Sequence, residues 1–161
     1  MTEVPNATAI YGVYVCLFNT PFNIRKKSMV FDALVAGEPW SWPVIGISAA
    51  ALEALALADF KNTKRGICRA HLIDRIDTAR ALFENPGGPL PQDQFFALYF
   101  QNRGTILTTK SENRPGARPP DFIPIADNGG LFKNKSYSFA YGRKERSYLR
   151  DLHAKHSTRG A

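Results

Sequence analysis

The sequence predicts an α+β fold: one compact domain, residues 1–161, with a mixed or antiparallel sheet and about four helices. The length of 161 residues suits a single domain. A composition of 44% hydrophobic, 12% aromatic and 22% charged residues is that of a chain able to bury a core, which sets aside a disordered or fibrous protein. Strand-like and helix-like segments also follow one another without the regular βαβ alternation that builds a parallel sheet.

Residues 9–18 (AIYGVYVCLF) are rich in β-branched and aromatic side chains and run into Asn19-Thr20-Pro21, so they read as a buried strand ending in a turn. Residues 30–36 are apolar and suit a short helix or a strand. Residues 42–47 read as a strand after the Gly37-Glu38-Pro39 turn. The Ala/Leu-rich run 49–60 is a helix, with Ser48 placed to cap its first free amides. A basic stretch, 61–69, leads to Ala70-His71 and then to a helical pattern over 74–84, stopped by Asn85-Pro86-Gly87-Gly88-Pro89. A helix over 92–101 carries Phe95, Phe96, Tyr99 and Phe100 on one broad face, the spacing of core residues. Residues 105–109 form a strand, 111–120 a proline-rich loop, and 122–125 and 137–141 short strands. Residues 144–153 form a last helix, within a basic C-terminal helix and tail from about 143.

Lys and Arg number 21 against 14 Asp and Glu, a formal net charge of +7. The excess is concentrated: about +5 over 61–118 and about +6 over 133–161, with the remainder mildly acidic. Such a balance predicts a polyanionic partner, DNA or RNA, met by Arg69, Arg75 and Arg114 in the centre and by Arg143, Lys144, Arg146 and Arg150 near the end. A solvated basic face is the competing reading of the C-terminal segment. Cys16 and Cys68 fit neither a disulfide framework nor a zinc spacing, which predicts a reduced, cytoplasmic setting. The longest apolar run, ten residues, is short of the roughly 18 a membrane span needs, so no membrane association is expected.

Two segments carry candidate chemistry. His71 stands between Arg69 and Arg75, with Asp74 and Asp77 just beyond it. That pattern suits a general base flanked by phosphate-holding cations, or a helix start with Asp74 at the cap. Residues 105–116 (TILTTKSENRPG) take a β-branched strand into a loop bearing Glu112, Asn113 and Arg114. Their oxygens suit a hard cation and the arginine a phosphate, whereas the plain reading is a strand exit into a turn. His153 and His156 lie near the terminus, a poor place from which to aim a catalytic group.

Together, a histidine ending one segment and a later ILTTKSENRPG resemble the HNH, or ββα-metal, endonucleases. The resemblance implies His71 as base, Asn113 beside one Mg²⁺ or Mn²⁺, and Glu112, Asp74 or Asp77 completing the metal ligands of a phosphodiester hydrolase. The sequence departs from that pattern at Ala70, where another ligand usually stands, and at Pro115, Pro119 and Pro120, which interrupt the expected following helix. Two other readings stand beside the endonuclease: a non-catalytic DNA- or RNA-binding accessory factor, and a basic protein-interaction module. No glycine-rich phosphate loop or serine-elbow motif is present.

Overall fold

A computed structural model describes residues 4–61, 66–126 and 130–157. Lys64 and Arg65 of the basic stretch, Gly129 and the tail from Thr158 to Ala161 lie outside the described residues. The elements run α1 (Ala7–Phe18), α2 (Ile24–Ala36), β1 (Val44–Ser48), α3 (Ala49–Leu57), β2 (Ile67–His71), α4 (Arg75–Phe83), α5 (Gln92–Asn102), β3 (Thr105–Thr109), β4 (Phe122–Pro124), β5 (Asn134–Lys135), β6 (Ser138–Phe139) and α6 (Arg143–Ser157). The class is α+β as expected, with six helices among the described residues rather than four. The main sheet has the order β2-β3-β1-β4. Its β1–β3 pair is parallel and its two outer pairs are antiparallel, so it is mixed.

The largest departure from the sequence reading is at 9–18, which is the helix α1 and not a strand. Its buried residues Ile10, Tyr14 and Leu17 recur at helical spacing, Tyr11 and Val15 pack partly buried beside them, and Val13 faces outward. A continuous apolar run does not distinguish helix from buried strand by periodicity, and β-branched content misleads where tertiary packing decides. Asn19 and Thr20 end the helix, their side chains donating to the Val15 and Leu17 carbonyls at 2.9 and 2.7 Å. Residues 30–36 are the second half of α2. This helix begins where the Asn23 side chain accepts from the Lys26 amide, so Arg25-Lys26-Lys27 is its first turn. Lys27 is buried, its Nζ donating to the Phe18 carbonyl at 2.6 Å, and thus closes the end of α1.

Two cores result. Helices α1, α2, α4 and α5 pack around Tyr14, Phe31, Leu82, Phe83, Phe95 and Tyr99, so the aromatic face of α5 is core as its spacing predicts. Tyr14 sits at the centre, donating to the Leu82 carbonyl and accepting from the Leu90 amide, each at 2.9 Å. The second core lies on one face of the sheet. There Ile47, Ile67 and Leu107 meet Leu52 and Leu55 of α3 and Leu149 of α6. Trp42, just before β1, belongs to the helical core, so the bundle adjoins the end of the sheet where β1 and β3 begin and β2 ends. Ser48 caps α3 as expected, accepting from the Ala51 amide at 3.1 Å. Neither cysteine is in a disulfide, and no described helix is long and apolar enough to cross a membrane.

Candidate functional site

β2 is an edge strand. The Leu72 amide donates to the Gly104 carbonyl and the Lys110 amide to the Gly66 carbonyl, at 3.0 and 2.8 Å. Antiparallel pairing alternates, so Cys68 and Ala70 also turn their backbone groups toward β3, while those of Ile67, Arg69 and His71 turn outward. Among the described residues these outward amides and carbonyls have no hydrogen-bond partner. A cleft of about 460 Å³ wraps this free edge, since Arg69 and His71 from one face of β2 and Ala70 and Leu72 from the other all line it. Its walls are the start of α4 (Asp74, Arg75, Asp77), the loop Glu112, Asn113, Arg114 and Arg118 with Pro119 and Pro120, and Trp42 with Tyr137. The two segments singled out in the sequence, some forty residues apart, therefore meet in one place.

Arg69 is the structural hinge of this site. Its Nη1 donates to the Trp42 carbonyl at 3.3 Å and to Asn134 Oδ1 at 2.9 Å, its Nη2 donates to the Ser136 carbonyl at 2.7 Å, and its guanidinium lies 5.4 Å from the Trp42 ring. Asn134 in turn donates to the Ala36 and Glu38 carbonyls, both at 2.8 Å. Burial pushes the Arg69 guanidinium down to about 10, opposed by the Tyr99 hydroxyl and helped by Arg75, which leaves it cationic at neutral pH. Three of its five N–H donors are thus engaged by Trp42 and the β5–β6 turn. Trp42 itself has φ 47°, the left-handed region, a conformation costing on the order of 1–3 kcal/mol; Arg69 and the Thr105 hydroxyl hold it through its carbonyl.

His71 packs edge-on against Trp42, ring centroids 5.3 Å apart, and has no hydrogen-bond partner among the described residues. Burial, with Arg75 and Arg69 adding to it, pushes its imidazole down to about 3, so it is neutral at pH 7 and a weak base. Arg75 pairs with Asp32 of α2 at 3.3 Å. Burial raises the Asp32 carboxyl to about 6 against the pull of Arg75 and a hydrogen bond from Ser28.

Glu112 fastens the loop. Its Oε2 accepts from Ser48 Oγ at 2.8 Å and from the amide and hydroxyl of Thr109, both at 2.9 Å. Burial works to raise this carboxyl, and those hydrogen bonds outweigh it and hold the group below its ordinary value. Asn113 donates from Nδ2 to Cys68 Sγ at 3.4 Å. Cys68 lies three strand residues from His71, about 10 Å along the chain and on the opposite face, so Asn113 and His71 border the cleft at different ends of β2. Asp74 holds the N-cap position of α4 without a side-chain cap bond. Among the described residues no group of three or more His, Cys, Asp or Glu side chains is placed to hold a metal ion. Glu112 Oε2 already accepts three hydrogen bonds and Asn113 Nδ2 is turned to a sulfur, so of this pair Glu112 Oε1 and Asn113 Oδ1 are the oxygens left open to a cation. β2 and β3 are also not a hairpin: α4 and α5 separate them, and the chain runs from Asn113 into β4 without a helix.

Of the cations lining the cleft, Arg114 and Arg118 are exposed and without a side-chain partner among the described residues. Of the C-terminal group, Arg143 and Lys144 are exposed, Arg146 donates to the Gly142 carbonyl at 3.3 Å, and Arg150 pairs with Asp59 at 3.0 Å over the Phe60 ring. No residue of α6 lines the cleft, so the two basic regions are not one site. His153 belongs to α6, its Nε2 2.9 Å from Glu53 Oε1. Sequence reasoning passed over Arg118, Asn134 and Tyr137. Arg118 beside Pro119-Pro120 in an exposed loop was the one legible signal, since the partners of Asn134 and the support beneath Tyr137 are set by the fold. No protein-family model, no curated protein and no solved structure matches this chain.

Proposed function

We propose that the protein binds nucleic acid in the cleft along β2, as a non-catalytic binding factor. The observation that carries the reading is the pair of exposed guanidinium groups, Arg114 and Arg118, which have no side-chain partner among the described residues and line one cleft with an edge strand whose outward backbone donors are likewise open. Phosphate oxygens are the partners such groups are best suited to take, bidentately and at any sequence. The test is fluorescence anisotropy with labelled oligonucleotides across a salt series. Binding should weaken steeply with salt, and Arg114→Ala and Arg118→Ala should each reduce the slope by about 1. Binding that ignores salt, or variants that leave the slope untouched, would overturn the reading.

An endonuclease using the same cleft is the second reading, favoured by the convergence of His71, Asp74, Glu112 and Asn113 on its lining. Nicking of plasmid DNA that requires Mg²⁺ or Mn²⁺, stops with chelator and is lost in His71→Ala would place it first. Binding without any nicking would leave the non-catalytic reading standing.

A further inference from the structure

Tyr137 occupies the turn between β5 and β6 and is 61% exposed, the most exposed aromatic ring described at the cleft. It is not loose. One side rests on Trp42, ring centroids 5.7 Å apart at 42°, and Trp42 is only 3% exposed and fixed in the helical core. The turn carrying it is clamped by Arg69 on the Ser136 carbonyl and on Asn134. A large flat apolar surface is thus kept in solvent at the cleft rim by three buried or half-buried groups, Trp42, Arg69 and Asn134. Arg114 and Arg118 line the same cleft, and the outward amides and carbonyls of Arg69 and His71 run along the free edge of β2.

We propose, resting on the nucleic-acid reading above, that the ligand is a single strand, with one unpaired base stacked on Tyr137 and its edge hydrogen-bonded to the backbone of β2. A base within a duplex has both faces covered and its pairing edge occupied, whereas an unpaired base offers a face to an aromatic ring and donors and acceptors to a peptide edge. The cleft volume of about 460 Å³ suits a small part of a strand and not a double helix. Each outward strand residue presents an N–H and a C=O side by side, which pairs with the donor–acceptor edge of a base. The adjoining phosphates then reach the arginines of the loop. The same free edge suits an extended acidic peptide, but such a peptide gives no reason for an exposed ring braced at the rim.

The experiment compares a labelled fifteen-nucleotide single strand of oligo-dT or oligo-U with a hairpin duplex of similar length at low salt. The single strand is expected to bind at least about tenfold more tightly. Tyr137→Ala is expected to lose about tenfold for the single strand and nothing for the duplex, Tyr137→Phe to keep the wild-type affinity, and Arg114→Ala to weaken both. Equal or tighter binding of the duplex, or an unchanged single-strand affinity in Tyr137→Ala, overturns the inference while leaving nucleic-acid binding in place. Binding of neither probe overturns both, and oligoglutamate binding instead of either assigns the edge to an acidic peptide.

Discussion

Replacing Arg69 by alanine tests whether the cleft is built from one side chain. The substitution removes a charge-assisted bond of 2.9 Å to Asn134 Oδ1, another of 2.7 Å to the Ser136 carbonyl and a longer one of 3.3 Å to the Trp42 carbonyl. Bonds to charged groups contribute about 1.5–3 kcal/mol when buried, and less where water replaces the donor. Ser136 is exposed and regains water, and the Trp42 carbonyl keeps the Thr105 hydroxyl, so the main loss is at half-buried Asn134, on the order of 1.5–2 kcal/mol. Lost contact with the Trp42 ring adds about 0.5–1 kcal/mol, for a total near 3 kcal/mol with the smaller terms. At this chain length that corresponds to a fall in Tm of about 6–12 °C. Urea unfolding should show a lower midpoint at an unchanged m-value, and amide exchange should accelerate across the β5–β6 turn. Arg69→Lys should lose most of the same stability, because an ammonium cannot span three acceptors set by a planar fork. A variant within about 0.5 kcal/mol of wild type would refute the claim that Arg69 holds the turn and Trp42 together.

Tyr14→Phe should cost about 1–3 kcal/mol in urea unfolding, because it strips the buried Leu90 amide of its acceptor and the Leu82 carbonyl of its donor; a loss below about 0.5 kcal/mol would mean water reaches both. The His71 imidazole binds its proton in the unfolded chain near pH 6.5 and in the folded one only near 3. Its contribution is thus complete above pH 6.5 and is lost as pH falls toward 3, by up to about 5 kcal/mol. Asp32 acts in the opposite sense, its raised carboxyl lowering stability as pH climbs from 3.8 to about 6, by about 3 kcal/mol. Stability measured from pH 3 to 7 should therefore lose its acid limb in His71→Gln and steepen in Asp32→Asn; parallel curves for all three proteins would contradict the burial of these groups.

What could be read from the sequence was what local chemistry decides. Ser48 ahead of an Ala/Leu run marks the start of α3 wherever the helix packs, and the spacing of Phe95, Phe96 and Tyr99 names a buried face before its partners are known. The strand at 67–71 carried no such mark. Its sequence, Ile-Cys-Arg-Ala-His, places Arg69 and His71 on the same face as buried Ile67, and only distant groups make that tolerable: Trp42, Asn134 and Ser136 take the guanidinium, and the ring of Trp42 covers the imidazole. For the same reason Glu112 and Asn113 were legible as polar groups in a strand exit but not as fastenings to Ser48 and Cys68.

The charge distribution then follows from how much of it the fold consumes. Arg69 is spent on carbonyls, Arg75 on Asp32, Arg80 on Asp77, Lys61 and Arg150 on Asp59, and Lys27 on the end of α1. The pairs with carboxylates contribute little to stability where exposed, about 0–1 kcal/mol each, but they mute the local field that a polyanion meets, whereas Arg69 and Lys27, on neutral carbonyls, keep their charge but are held in place. At the cleft the attraction is therefore carried by fewer side chains than the sequence suggests, Arg114 and Arg118, while Arg143 and Lys144 on α6 and the exposed Arg25, Lys110, Lys133 and Lys135 stand outside its lining. Two cations on one loop, itself fixed to the β1–α3 junction through Glu112 and Ser48, give a short, well-positioned contact with a phosphate backbone rather than a long electrostatic track. Such a contact needs a further source of affinity, and the braced ring of Tyr137 beside an unpaired strand edge supplies the stacking and hydrogen bonding that phosphates alone do not.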